Sequence, residues 1–266
     1  MATIDQLAYI DQNRLKKLRL RIDTDDPLYP ALKKLKIRGK DLNDLPVELF
    51  QIMELEVLDL SPERESCIDY HLTSLPPGIG NLINLRVLML DTNHLDEIPP
   101  EISLLGQLER LSLSNNHIKR VPDSFLKLRG LESLHVANNR FETFPHVICE
   151  LKSLKFLDFS DNLLQELPES ISKLQNLESM IFVFNRLTHL PESICDMFNL
   201  HVLWLGNNKL RRLPRHFGKL RNLDWGFRHT SSTVIDGNPM THPPIDVCKK
   251  GVDAIAKYFA HSEMEH

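Results

Sequence analysis

Two pairs of residues recur at fixed spacing in this sequence and are of types that could do chemistry. His94 and His117 stand 23 residues apart, and Cys149 and Cys195 stand 46 residues apart. Imidazole nitrogens beside a carboxylate such as Asp91 could hold a metal ion, and a cysteine beside a base could be a nucleophile. The position equivalent to His94 and His117 in the next repeat is occupied by arginine, however, and no base or orienting group accompanies the cysteines. We therefore predict neither a metal site nor a catalytic site.

Other signatures of chemistry are missing from the sequence. It contains no glycine-rich phosphate loop, no H-E-x-x-H and no G-x-S-x-G, and only 10 of its 266 residues are glycine. We therefore expect no cofactor and no enzymatic activity. The formal net charge of -4 gives no reason to expect nucleic acid as a partner. No apolar run reaches the length of a membrane span.

The elements that must position these side chains are copies of one 23-residue frame. Six consecutive copies run from Leu85 to Asn222 with the template L-x-x-L-x-L-x-x-N-x-L-x-x-L-P-x-x-I-x-x-L-x-x. A fixed period with apolar residues at fixed phases predicts a leucine-rich repeat solenoid. The predicted fold class is α/β, a right-handed superhelix with a parallel β-sheet on its concave face.

The repeats divide the chain into three parts. Residues 1–31 are predicted to be an N-terminal cap, either a helix followed by a strand or, from Leu15, a degenerate repeat strand. About nine repeats are expected over 32–244, with insertions near 61–71 and 223–232. Residues 245–266 are predicted to form a C-terminal capping helix and tail, since terminal units otherwise leave core leucines in water.

Within each repeat, L-x-x-L-x-L places alternate side chains on opposite faces of a short strand. The leucines stand at the same positions of every unit, which point inward. One asparagine per unit is expected to hydrogen-bond the backbone of the turn that follows. These asparagines are Asn93, Asn116, Asn139, Asn162, Asn185, Asn208 and Asn238.

The variable, outward positions of the strands are the candidates for function. Examples expected to face solvent there are Val57, Asp59 and Ser112. Apolar residues gather at outward positions of adjacent strands, which is typical of protein contact sites when a Trp or Phe is present. The candidate partner-binding residues are Phe156, Ile181, Val183, Val202 and Trp204, with His135 and Asp158 beside them. The alternative is that the expanded ninth unit, or Trp225 and Phe227, folds over this patch and buries it.

The first strand is basic. Lys34, Lys36 and Arg38 lie at its outward positions, between Lys33 and Lys40. We include the three outward residues among the candidate partner-binding residues, although a solvated end of the solenoid explains the same pattern.

The frame N-x-L-x-x-L-P-x-x-I-x-x-L resembles that of the intracellular Ras-group leucine-rich repeat proteins, such as Ras-suppressor, Ras–Raf scaffold and plant intracellular Ras-group-related proteins. The closing stretch IDGNPMTHPPIDVCKKGVDAIAKYF is similar to the ending of that group. The matching residues are Gly237, Asn238, Pro239, Pro243, Pro244, Val247, Gly251, Ala254, Ile255 and Tyr258. The resemblance implies a non-enzymatic adaptor whose concave face binds another protein, such as a small GTPase or a phosphatase subunit.

Function and location follow as expectations. The expected function is an intracellular scaffold or adaptor that binds a protein partner through the concave face of the repeats. Small-GTPase or kinase/phosphatase signalling is the setting that the resemblance implies. The four cysteines are dispersed without a C-x-x-C pair, and no secretory signal is evident, so we expect a cytoplasmic protein, with a monomer favoured. The alternative is an extracellular or innate-immune ligand-recognition module.

Overall fold

A single sheet of eight short parallel strands organises the chain. The computed structural model describes residues 10–62, 70–225 and 234–262. In these residues the strands lie side by side in chain order, each paired only with its sequence neighbours, so the sheet is open at both ends. The strands are β1 (Lys34–Lys36), β2 (Val57–Asp59), β3 (Val87–Met89), β4 (Arg110–Ser112), β5 (Ser133–His135), β6 (Phe156–Asp158), β7 (Ser179–Ile181) and β8 (Val202–Trp204).

The return side of each unit is built from short 3-10 helices, because proline limits regular helix there. Pro99, for example, is extended at φ -68° and ψ 143°, and its carbonyl accepts the amide of Ile102 three residues on at 3.1 Å. These helices are Val47–Gln51, Pro77–Asn81, Pro100–Leu104, Asp123–Lys127, His146–Glu150, Glu169–Lys173, Glu192–Asp196 and Phe217–Lys219, and a further 3-10 helix, Gly39–Leu42, forms the turn after β1.

Within the described ranges, three α-helices close the two ends of the stack: α1 (Gln12–Arg19), α2 (Ile245–Cys248) and α3 (Val252–Ser262). The Asp11 carboxylate caps α1 by accepting two backbone amides of its first turn, and the helix buries Leu15 and Leu18. At the other end α3 buries Ile255 and packs on the last 3-10 helix, where a Cβ at Gly218 would come within 2.5 Å of the Ala256 Cβ. The absence of a side chain at Gly218 therefore permits this close approach. Residues 1–9 of the predicted N-terminal cap lie outside the described residues.

The inward leucines form one continuous core, and several phenylalanines extend it. Phe159 and Phe182, in adjacent units, are fully buried and stack with ring centroids 5.6 Å apart. Each buried ring removes a large apolar area from water, worth roughly 1.5–3 kcal/mol. Because each unit packs on the next, this stabilisation is shared along the stack.

A ladder of buried asparagines holds the turn after each strand. In Asn139, Nδ2 donates to the carbonyls of Leu113 at 2.8 Å and Val136 at 3.1 Å, and Oδ1 accepts the Ile118 amide at 3.0 Å. All seven predicted asparagines make the equivalent bonds, so the prediction of a ladder is confirmed.

The backbone pairing continues past β8 without a ninth strand in the described residues. The amide of Leu205 donates to the carbonyl of Val234 at 2.7 Å, and that of Asn207 donates to Asp236 at 2.7 Å. The expanded unit thus returns to the frame at Val234. Most of both predicted insertions, residues 63–69 and 226–233, lies outside the described residues.

Candidate protein-binding surface

The structure places the predicted apolar residues on adjacent strands at the C-terminal end of the concave face. The register pairs Ile181 on β7 with Trp204 on β8, and aligns Phe156 on β6 with Ser179 and then Val202. The side chains of Phe156, Ile181, Val202 and Trp204 are half-buried, whereas Val183, just after β7, is only 8% exposed. Val183 is therefore buried, contrary to the prediction that it faces solvent, and we call Phe156, Ile181, Val202 and Trp204 the apolar surface.

His135 and Asp158 form a polar border beside this surface. The His135 ring stacks on Phe156 with centroids 4.5 Å apart, and its Nε2 lies 2.9 Å from the Ser133 Oγ. Burial, helped by the nearby Arg110 and opposed by Asp158, lowers the pKa of His135 to about 4, so the ring is neutral at pH 7. Asp158 Oδ1 accepts the Ser160 amide at 2.9 Å and its hydroxyl at 2.6 Å. The side-chain orientations at this border are therefore fixed by internal contacts.

Trp225, which the alternative interpretation placed over the apolar surface, lies elsewhere. It is 5% exposed, its ring packs on Phe217 with centroids 5.1 Å apart, and its Nε1 donates to the Cys248 carbonyl at 3.0 Å. Trp225 therefore joins the last unit to the C-terminal cap. Phe227 lies outside the described residues.

The cations of the basic first strand are largely paired within the chain. Lys34 forms an ion pair with Asp26 and lies over the Tyr29 ring, 5.2 Å from its centroid. The Nζ of Lys36 lies 3.0 Å from an Asp59 carboxylate oxygen, and Arg38 is exposed at the end of the strand. These contacts neutralise much of the positive charge that made the strand a candidate.

The expectation that Val57, Asp59 and Ser112 face solvent is wrong. Val57 is fully buried, Asp59 is 7% exposed and Ser112 is 6% exposed. The reason at β1–β3 is the segment 22–31, which lies against the concave face and brings the Tyr29 hydroxyl 3.8 Å from the Met89 Sδ. The Ser112 hydroxyl donates a hydrogen bond across the strands to Asp91 Oδ1 at 2.6 Å.

Three histidines stack along the turns of successive units. The ring centroids of His71 and His94 are 4.2 Å apart, and those of His94 and His117 are 5.4 Å apart. Partial burial and both neighbours lower the pKa of His94. Stacked rings do not direct their nitrogens toward a common point, and the described residues contain no group of three or more His, Cys, Asp or Glu suited to a metal ion. The sequence analysis missed His71, although Y-H-L-T-S-L-P matches N-H-L-D-E-I-P of the next unit.

The sequence analysis also missed Phe184, which follows the apolar surface along the chain. Its φ is 55°, in the left-handed region, and 50% of it is exposed. The same turn position in other units holds residues that tolerate this conformation better, such as Asn115, Asn138 and Asn207. An exposed phenylalanine in an unfavourable conformation lies at the edge of the concave face, and no packing requirement in the repeat explains it.

The described cysteines are buried thiols. Cys149, Cys195 and Cys248 are free, and burial raises the pKa of Cys195 to about 12 and that of Cys248 to about 11. Groups with such pKa values are thiols rather than thiolates at neutral pH, which makes them poor nucleophiles. None of the helices in the described parts of the chain is both long and apolar enough to cross a membrane.

Comparisons with known proteins agree with this architecture. The family description "Leucine-rich repeat region" matches residues 64–161, and "Leucine Rich Repeat" matches 153–174 and 199–220. The comparison with curated proteins gives no match. The chain is a leucine-rich repeat protein. Families with this fold typically bind other proteins and are typically not enzymes.

Among solved structures, a leucine-rich repeat protein of Leptospira interrogans is 29% identical with a TM-score of 0.54, over 73% of this chain and 58% of that one. The leucine-rich repeat ectodomain of a membrane receptor kinase of Arabidopsis thaliana, in complex with Casparian strip integrity factor 2, is 32% identical with a TM-score of 0.61, over 74% of this chain. The present chain spans only 23% of that ectodomain. An internalin of Listeria monocytogenes, 19% identical over 81% of this chain and 55% of that one, shares the fold with a TM-score of 0.61.

Proposed function

We propose that this chain is a scaffold or adaptor that binds a protein partner through the apolar surface of its concave face. The observation that carries the proposal is the pairing of Ile181 with Trp204 at outward positions of adjacent strands. Both side chains are only half-buried, and nothing in the repeat frame requires apolar residues at outward positions.

The composition of this surface suits protein recognition. Trp204 supplies a large aromatic side chain of the kind that carries most of the energy in protein interfaces, and Ile181 and Phe156 extend the apolar area beside it. The border of His135 and Asp158 is polar and held in place by internal bonds, so little conformational entropy is lost on binding. A half-exposed aromatic centre with a fixed polar border is the arrangement expected of an interface core and rim.

We further propose a cytoplasmic location and a signalling partner, such as a small GTPase or a kinase or phosphatase. Support comes from the resemblance to Ras-group proteins in the repeat frame and in the closing stretch through Tyr258. The second candidate, extracellular ligand recognition, is favoured by the likeness to the Arabidopsis thaliana receptor ectodomain. Antibody staining of an epitope-tagged protein in intact and permeabilised cells distinguishes them, because an extracellular protein stains without permeabilisation.

The proposal is tested by proximity labelling in cells with wild type and an Ile181→Glu, Trp204→Glu double variant. The matched control is Phe198→Glu, because Phe198 is 53% exposed but lies in the turn before β8, outside the concave face. We expect a defined set of neighbours to disappear with the double variant and persist with the control. Retention of the whole set by a double variant with wild-type thermal unfolding would refute binding through the apolar surface.

A further inference from the structure

We propose that a basic ridge beside the apolar surface binds an acidic segment of the partner polypeptide. The ridge consists of Arg186, Lys209, Arg211 and Arg212, which follow the asparagines of the last two regular units. The inference rests on the proposed function in one respect: the same partner occupies both the ridge and the apolar surface.

The four ridge side chains are exposed cations that have no partner in the part of the chain that the structure describes. Each is exposed, and none of their side chains forms an ion pair or hydrogen bond with a described residue. Elsewhere in the structure basic residues commonly pair with carboxylates, as Arg86 does with Glu109 at 2.8 Å and Lys155 with Glu132 at 2.9 Å. The ridge therefore presents positive charge that the described residues do not neutralise.

Backbone bonds hold the ridge residues on one edge of the stack. The amide of Lys209 donates to the Leu187 carbonyl at 2.9 Å, which places Lys209 alongside Arg186 of the preceding unit. The Arg211 carbonyl accepts the Thr241 amide at 2.8 Å, which anchors the next part of the ridge to the closing unit. Adjacent units lie about 5 Å apart, within the Debye length of about 8 Å at physiological salt. The charges therefore act together on an approaching anion.

The concentration of charge is specific to this end of the solenoid. The ridge cations stand one, three or four residues after the asparagine of their unit. At these three positions the four preceding regular units mix acidic and basic residues. Acids there are Asp96, Glu97, Glu142 and Glu166, and cations are Lys119, Arg120 and Arg140. The two units of the ridge contain no acid at these positions, in a chain whose net charge is -4. Repetition of the frame therefore does not account for the ridge.

Phe184 connects the ridge with the apolar surface. It directly follows Val183 and precedes Arg186 by two residues, and its amide donates to the Gly206 carbonyl at 3.0 Å, two residues beyond Trp204. The half-exposed ring therefore lies between the apolar concave residues and the exposed cations. A bound chain could place an apolar side chain on Trp204 and Phe184 and its carboxylates along the ridge.

The ridge fits an acidic peptide better than a nucleic acid or a membrane surface. Those polyanions favour an extended basic face, whereas the ridge has four cations in two units, and the preceding unit has Glu166 at the position of the frame that Arg212 occupies. Arginine forms paired hydrogen bonds with carboxylates, and three of the four ridge residues are arginine. The adjoining apolar surface supplies an anchor point that a peptide side chain can fill.

The test is selection from a randomised 12-residue peptide display library on the intact chain, followed by fluorescence anisotropy with one selected synthetic peptide. We expect selected peptides to be enriched in Asp and Glu and to bind more weakly as salt increases. Reversal of charge in an Arg211→Glu, Arg212→Glu variant should weaken binding about tenfold or more, equivalent to about 1.4 kcal/mol. The matched control is Lys119→Glu, Arg120→Glu, the same positions four units earlier, which should change the Kd less than about twofold.

Distinct outcomes separate this inference from the proposed function. If the ridge variant binds selected peptides like wild type while Ile181→Glu, Trp204→Glu does not, the ridge inference is overturned and the proposed function stands. If acidic peptides require the ridge but not the apolar surface, and the Ile181→Glu, Trp204→Glu variant keeps its whole set of neighbours in cells, ridge binding is supported and the proposed function fails. Selection of no acidic peptides, with ridge-dependent binding to phosphoinositide vesicles or to single-stranded RNA instead, would also overturn the inference.

Discussion

Replacement of Asn139 measures how strongly the asparagine ladder holds the solenoid. The side chain is 7% exposed and makes four hydrogen bonds, to the carbonyls of Leu113, Val136 and Ala137 and from the Ile118 amide. In Asn139→Ala the three carbonyls keep other donors, namely Asn116 and Asn162 side chains and the Asn115 amide. The buried Ile118 amide is the group left without a partner.

The lost hydrogen bonds determine how much stability the substitution removes. A buried donor without a partner costs about 1–3 kcal/mol, and the lost carbonyl bonds add roughly 1 kcal/mol. We therefore expect Asn139→Ala to lower the free energy of unfolding by about 2–4 kcal/mol in urea titrations followed by circular dichroism. Asn139→Asp should cost more at pH 7, because it keeps the acceptor for Ile118 but turns a second carboxylate oxygen toward three carbonyls. The difference between the two variants should shrink at low pH as that carboxylate is protonated.

The matched control is Asn176→Ala. Asn176 is exposed and makes one bond, from its Nδ2 to the Lys152 carbonyl at 2.9 Å, so its loss should cost less than about 1 kcal/mol. The reasoning is refuted if Asn139→Asp is more stable than Asn139→Ala at pH 7, or if Asn139→Ala costs no more than the control.

Three further predictions concern other parts of the molecule. The pKa of His135 is lowered from 6.5 to about 4, so between these pH values the unfolded chain binds a proton that the folded chain does not. The free energy of unfolding should therefore fall by about 1–2 kcal/mol as the pH drops from 7.5 to 4.5. Urea titrations of His135→Asn should lack this part of the loss; an identical loss would show that His135 does not cause it. Burial raises the pKa of Cys195 to about 12, so mass spectrometry should find it unmodified by a thiol reagent at pH 8 in the native protein, and rapid native labelling would contradict its burial. Gly237→Ala should destabilise by about 2 kcal/mol or more, because Gly237 has φ 76° and an added Cβ would come within 2.4 Å of the Asn207 side chain. Gly106→Ala, with open space around it, is the control, and equal stability of both variants would contradict the clash.

The repeated part of the fold could be predicted from the sequence because each unit repeats the same physical requirements. Inward leucines such as Leu111 and the buried amide of Asn139 need the same neighbours in every unit, so the frame reports both strand and turn. The placement of Ile181 beside Trp204 follows from that register alone. Grouping of the apolar candidates is therefore predictable, whereas their use as a binding site remains a prediction.

Features that break the repeat could not be predicted in the same way. The segment with Tyr29 has no period, so its contact with Met89 and the burial of Asp59 depend on tertiary packing that no local pattern shows. The insertion displaced His71 from the expected register, although its local frame matches the next unit. Phe184 occupies a turn position at which the repeat frame predicts the left-handed backbone conformation but not the exposure of the side chain. Its exposure is therefore evident only from the structure.

The nearest-neighbour architecture has a mechanical consequence. In the described parts of the chain, the helices and strands contact only those of their own or an adjacent unit, and the cap segment that brings Tyr29 to Met89 is an exception at the N-terminal end. Under tension applied at its ends, such a stack should unfold sequentially, with one unit detaching after another. Each detached unit of 23 residues would release roughly 75 Å of chain, the extended length less the thickness of one unit. A partner that contacts β6, β7 and β8 together would stabilise the contacts between those units. An optical trap would therefore measure a higher unfolding force for those units when the partner is bound.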